Sequence, residues 1–176
     1  MAYSRNKEII LIGETGLLSR ALKDALLMQN IPFKVIKINR KNNISSKKEL
    51  YKILKKYLKN KTSFILINCL ASLKPENKSD IYINENLPKD LLAYPTEGEC
   101  FLIQFSTNNV LVNQIKDNYT IQKKKAEENI YAITNSKYNL IRLPFLLPKN
   151  IFDKKYLPKQ YKLLMSFIDL PLDRKS

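Results

Sequence analysis

The sequence predicts an α/β fold: a parallel sheet of about five to six strands, helices on both faces, and a short C-terminal helical tail. Two observations carry that expectation. Short apolar runs alternate with amphipathic segments, an order that gives a parallel sheet with right-handed crossovers. The first run, residues 9–12, ends at Gly13, and Gly16 follows just before a helical pattern begins. The chain has 176 residues, 44% of them hydrophobic, which is enough for one domain with a real core and too few for two of ordinary size.

Residues 9–12 are apolar on both faces, as in a strand buried within a sheet. Leu18, Ala21, Leu22, Ala25 and Leu26 form one helix face, closed by Asn30 and Pro32. Residues 33–38 are a second strand, and residues 42–45 a connector with room for a very short strand at Ile44. Ser46 and Glu49 make a capping box for a helix whose apolar face is Leu50, Ile53, Leu54, Tyr57 and Leu58. Lysines fill its other faces, as on a solvated surface.

Residues 64–68 are the third main strand, and the small, partly polar residues 69–72 follow it. Part of 80–94 is helical, with Pro88 at a first turn or at a kink. Residues 95–99 turn into a strand at 101–105, which ends in Ser106, Thr107, Asn108 and Asn109. A helix runs from Tyr119 to about Asn135. Residues 138–143 are the last strand, stopped by Pro144. Past Pro148 comes a basic, aromatic tail with one helical pattern, Tyr161, Leu164, Met165 and Ile168.

Composition excludes several classes. Without histidine there is no Ser-His-Asp or Cys-His nucleophile, and with two cysteines no zinc site is expected. Cys69 and Cys100 sit at opposite ends of their strands, roughly 20 Å apart at the usual rise, so no disulfide is expected. No apolar run reaches membrane-spanning length, and the start lacks the apolar core of a signal peptide, which reads as cytoplasmic. The net charge of +15 is spread over several elements and matches no nucleic-acid motif, so nucleic acid is not the expected partner.

Two clusters carry chemistry. A strand ending in Gly13, a tight turn and a helix starting after Gly16 aim backbone N–H groups and a helix dipole at one point, which suits a phosphate. A dinucleotide-binding Rossmann unit needs this geometry, with Ser19 in place of its usual third glycine. At the end of the second strand Asn39 can bond a ribose and Arg40 can pair with a 2′-phosphate, so NADP is expected over NAD. The second cluster is Tyr119 and Lys123, one helical turn apart. An ammonium beside a phenol lowers the phenol pKa and suits it to proton transfer at a carbonyl oxygen. Ser106 or Thr107 would hold that oxygen.

Taken in order, these segments resemble the extended short-chain dehydrogenase/reductase family, in particular dTDP-4-dehydrorhamnose reductases and sugar-nucleotide epimerases. Residues 13–19 resemble its Gly-x-x-Gly-x-x-Gly turn. Ile67-Asn68-Cys69-Leu70-Ala71 resembles its strand end beside the adenosine and ribose, and Asn84-Glu85-Asn86-Leu87-Pro88 its following helix. Phe105-Ser106-Thr107-Asn108-Asn109-Val110 and the run Tyr119 to Glu127 resemble its substrate-orienting strand end and its Tyr-x-x-x-Lys helix. Ile141-Arg142-Leu143-Pro144 resembles its closing strand.

The resemblance implies Tyr119 as general acid/base, Lys123 as its partner and a cofactor ligand, and Thr107 with Ser106 at the substrate oxygen. Gly13, Glu14, Thr15, Gly16, Leu17 and Leu18 would hold the pyrophosphate, and Leu70 and Ala71 would lie beside the cofactor. It implies a nucleotide-sugar or related carbonyl substrate, reduced or epimerised, and a place in polysaccharide biosynthesis. The expected division is a dinucleotide unit at 1–148 and a short tail at 149–176 where the family builds a substrate domain. A homodimer mate or partner chain would then complete the pocket. The alternative is a non-catalytic Rossmann module that binds nucleotide or a partner protein.

Overall fold

The structure is a computed structural model that describes residues 7–38, 44–59, 61–112, 117–133 and 137–143. The pattern at 161–168, Pro144, Pro148, Asn39 and Arg40 lie outside the described residues. The elements are β1 (Glu8–Ile12), α1 (Leu17–Met28), β2 (Phe33–Ile36), α2 (Lys47–Leu58), β3 (Ser63–Asn68), α3 (Lys78–Ile81), a π turn (Tyr82–Asn86), α4 (Leu87–Leu92), β4 (Glu99–Thr107), a 3-10 turn (Asn108–Leu111), α5 (Asn118–Tyr131) and β5 (Lys137–Leu143).

The strands form one sheet in the order β2-β1-β3-β4-β5, every pair parallel, as the alternation of runs predicts. The two-residue period divides the core. Ile10, Ile12, Phe64, Leu66 and Leu102 face Leu50 and Leu54 of α2, Leu87 and Leu91 of α4, and Ile130 of α5. Ile9, Leu11, Ile67 and Ile103 face the other way, in a cluster with Leu22 and Leu26 of α1. Each such leucine or isoleucine, wholly withdrawn from water, contributes about 2 kcal/mol.

Three boundaries differ from expectation for local reasons. β4 runs on through Ser106 and Thr107, because β5 pairs with it as far as Leu143. Ile44 forms no strand; it is buried, and its carbonyl accepts from Ser79 Oγ at 2.8 Å. In the capping box, Glu49 N–H donates to Ser46 Oγ, but Glu49 Oε2 accepts from Ser45 N–H at 2.7 Å, one residue earlier than the motif implies.

Pro88 stands in the first turn of a helix, as one of the two expected placements has it, but that helix follows directly on a π turn, where Leu87 N–H reaches back to the Tyr82 carbonyl. In a regular helix the proline ring presses on the carbonyl four residues earlier and leaves it without a donor. The wider turn relieves both problems.

Both cysteines are free thiols, pushed up to about 12 by burial. Part of the lysine excess is tied down at the amino edge of the sheet. Glu8 pairs with Lys34 and Lys61, and Glu99 with Lys7 and Lys137. No helix among the described residues is long and apolar enough to cross a membrane.

Candidate active site

The chain leaves β1 towards β2 on one side and re-enters the sheet at β3 on the other. Ligands of doubly wound sheets bind outside the carboxyl ends of the strands at such a reversal. Gly13 stands there, buried, with φ at +99°, a conformation that glycine alone adopts cheaply. A Cβ at this position would come within 2.9 Å of Leu70 Cδ2.

Backbone and side chain hold the corner together. Gly13 N–H donates to the Ile36 carbonyl at 3.1 Å, and Cys69 N–H to the Ile12 carbonyl at 3.0 Å. Ser19 is fully buried, and its hydroxyl donates to the Gly13 carbonyl at 2.7 Å. The serine thus fits the tight helix–strand contact and also ties the turn, which a glycine lacks the atoms to do.

Gly16 is a different case. Its backbone, φ −63° and ψ 153°, suits any residue, and a Cβ would meet nothing closer than the Cys69 carbonyl at 3.7 Å. It is exposed and is the N-cap of α1, with no side-chain cap and no acidic residue in the first turn. The opening N–H groups of α1 therefore have no side-chain cap among the described residues. Thr15 is exposed beside it, and Leu17 and Leu18 are half-buried. Glu14 does not put a bare charge here: its carboxylate pairs with Lys37 at 2.9 Å, and its carbonyl accepts from Lys23 Nζ at 3.0 Å. Half-buried Leu70 is fixed by its N–H bond to Asn68 Oδ1 at 3.1 Å, and exposed Ala71 follows.

The second cluster lies at the end of β4. Lys123 is buried on α5, donates from Nζ to the Phe105 carbonyl at 3.2 Å, and lies 5.8 Å from the centre of the Tyr119 ring. β4 is two strands from β1, about 10 Å at the usual spacing. Ser106 Oγ is buried and has no hydrogen-bond partner among the described residues. Thr107 Oγ1 is partly occupied: it accepts from Asn109 N–H at 3.3 Å and caps the 3-10 turn. Asp117 caps α5 by accepting from Thr120 N–H at 2.8 Å, which sets Tyr119 in the first turn.

The expected direction of the tyrosine shift is overturned. The Tyr119 pKa is raised, because burial strips water from the phenol and the Asp117 carboxylate adds negative potential. The amine is aimed at a carbonyl and over the ring, so it forms no hydrogen bond with the hydroxyl. Burial also lowers Lys123 to about 8, with Glu127 opposing the shift.

Sequence reasoning gave no role to a set of buried amides. Asn84, on the π turn, donates from Nδ2 to the Ser72 carbonyl and to Gln122 Oε1, and accepts from Ser72 N–H. It fixes the loop after β3 to α5. Asn68 Nδ2 donates to Gln104 Oε1 at 2.7 Å, and Gln104 Nε2 donates to the Phe105 carbonyl that Lys123 also uses. The available signal was polar residues at core positions of apolar runs.

No protein-family model and no curated protein matches the sequence. Among solved structures, a dTDP-4-dehydrorhamnose reductase from Clostridium acetobutylicum superposes with TM-score 0.57 at 23% identity, over 77% of this chain and 52% of that one. The same enzyme from Yersinia enterocolitica gives 0.56 at 18%, over 80% and 53%. A GDP-L-fucose synthetase from Naegleria fowleri bound to NADP gives 0.55 at 12%, over 82% and 51%. The chain spans about half the length of each of these proteins. The likeness shows the fold, a Rossmann-type parallel sheet flanked by helices.

Proposed function

We propose that the chain is an NADP-dependent reductase or epimerase of the extended short-chain dehydrogenase/reductase type, acting on a nucleotide sugar or a related carbonyl compound. The observation that carries this is the pair of clusters at one end of one sheet. A helix N-terminus at Gly16, with no side-chain cap among the described residues, lies two strands from a buried lysine packed on a tyrosine ring. The similarity in fold to reductases of dTDP-4-dehydrorhamnose, and to a synthetase bound to NADP, supports the same reading.

The residues present fit a dinucleotide: Gly16 caps a helix end that has no side-chain acceptor among the described residues, and Lys23 and Lys37 stand beside the turn. Gly13, Glu14, Thr15, Gly16, Leu17 and Leu18 would hold the pyrophosphate, Leu70 and Ala71 would line the site, and Lys123 would be a further ligand. Arg40, with Asn39, gives the preference for a 2′-phosphate. The bound cofactor supplies a hydride. Tyr119, whose raised pKa keeps its proton on at neutral pH, donates it to the substrate oxygen in the reducing direction. Ser106, whose hydroxyl has no partner among the described residues, holds that oxygen, with Thr107 beside it. Residues 1–148 are the dinucleotide unit in this scheme, and a homodimer mate or a partner chain closes the substrate side.

One observation favours a non-catalytic nucleotide-binding module instead: the Lys123 amine is engaged by the Phe105 carbonyl and leaves the phenol unactivated. Both readings share the cofactor, and a thermal melt tests it. At 100 times its Kd, NADPH adds about 2.7 kcal/mol and raises Tm by about 5–10 °C, with less from NADH at the same concentration. No shift with either, together with salt-sensitive binding to RNA or DNA, would overturn both readings in favour of a polyanion binder.

A further inference from the structure

The face of α5 that carries Lys123 continues one turn on to Glu127, which is also buried. Glu127 is gripped from β5. Arg142 Nε donates to both carboxylate oxygens, at 3.1 and 3.2 Å, and Nη2 donates to Oε2 at 2.6 Å. Arg142 is the register partner of Ser106 on β4, the strand whose Phe105 carbonyl takes the Lys123 proton donor. A cation, an anion and a second cation thus run in sequence from the candidate site to the last strand, the first two buried and Arg142 half-buried at the outer end.

We propose that Glu127 and Arg142 form a matched counter-charge pair that sets how firmly Lys123 holds its proton. It rests on the reading of Lys123 as the amine of the site. Among the described residues, the groups facing this run are few. α5 supplies Tyr119 and Glu127, with Asp117 behind Tyr119, and Tyr131, whose hydroxyl accepts from Arg142 Nη2 at 3.4 Å. β4 offers the neutral Phe105 carbonyl and Ser106, and β5 offers Arg142. The π turn offers neutral Asn84, while its Glu85 is engaged with Lys125 at 3.6 Å. Glu127 is therefore the one buried carboxylate a turn away from the amine, and Arg142 competes for its charge.

Desolvation pulls Lys123 down and Glu127 opposes it. Arg142, itself raised by Glu127, holds that carboxylate by three hydrogen bonds from the β5 side, and the lysine stands at about 8, just above neutrality. Such an amine is a cation for Tyr119 at neutral pH and ceases to be one at mildly alkaline pH.

The test is a titration of the full chain carrying 13Cε-labelled lysine, followed by NMR, with the Lys123 signal assigned by its loss in Lys123→Met. Glu127→Gln lowers the Lys123 midpoint by about one pH unit, a tenfold change in proton affinity. Arg142→Gln raises it by a comparable amount, and Arg142→Lys restores the wild-type midpoint. Opposite signs from the two neutral variants are what a purely structural pair would not produce. Midpoints that stay unchanged, or move in the same direction, would overturn the proposal. Should Glu127→Gln not fold, the two Arg142 variants carry the same test. The readout needs no turnover. If the midpoints move as described while NADPH leaves Tm unmoved, the functional reading fails and this inference stands.

Discussion

Alanine at position 98 destabilises the protein by about 4 kcal/mol and lowers Tm by about 10 °C. A Cβ on Gly98 would stand 1.5 Å from the Thr62 carbonyl oxygen, 2.5 Å from its carbon and 2.9 Å from its Cα. All three are backbone atoms, so no side chain can swing aside. The same oxygen accepts from Glu99 N–H at 2.8 Å, next to the Ser63 and Glu99 pair that opens the β3–β4 ladder. Relief of the clash requires the turn to back away and that hydrogen bond to break, at the edge of the central strands. A thermal or urea melt reads the loss directly. A Gly98→Ala variant that melts with the wild type would mean the two loops do not meet as described.

Tyr119→Phe abolishes NADPH-dependent carbonyl reduction, by about 10² to 10⁴-fold, the usual contribution of a general acid. The fold should not notice the change. Tyr119 makes no hydrogen bond among the described residues through its hydroxyl, while its ring keeps the contact with Lys123. Tm and NADPH affinity therefore stay at their wild-type values while turnover falls, measured as NADPH oxidation with 4-keto nucleotide sugars. Turnover that survives the substitution would assign the proton to another donor. A wild-type protein that binds NADPH and turns over no carbonyl compound would favour the non-catalytic module.

Sequence periodicity disclosed the sheet and helices because residues 9–12 and 64–68 alternate between two buried faces, while Leu50, Leu54 and Leu58 recur at helical spacing. The corner at Gly13 was legible for a related reason, since a strand, a glycine and a helix pattern adjoin. What stayed hidden depends on contacts between distant segments. Ser106 and Thr107, small and polar, read as the end of a strand bounded at 105, yet pairing with β5 carries the strand through both. The π turn requires both Pro88 and the bonds from Asn84 to Ser72 and Gln122. Spacing correctly put Lys123 against Tyr119, but which end of the lysine meets which atom is fixed by β4. The sign of the phenol shift followed from burial that no local pattern reports. Glu127 and Arg142 lie on different elements, and nothing in either segment announces the other.

In the proposed function, the opening turn of α1 offers its N–H groups to a pyrophosphate. Gly16→Asp addresses this directly. Aspartate is among the best N-caps, and its charge complements the helix dipole, so without ligand the variant melts no lower than the wild type. The new carboxylate takes the same N–H groups and repels phosphate. In a fluorescence titration the wild type binds NADPH saturably, and Gly16→Asp weakens binding by about 10²-fold or more, equivalent to about 2.7 kcal/mol. Equal NADPH affinity in the two proteins would place the nucleotide elsewhere, and no binding by the wild type would leave this fold without the cofactor.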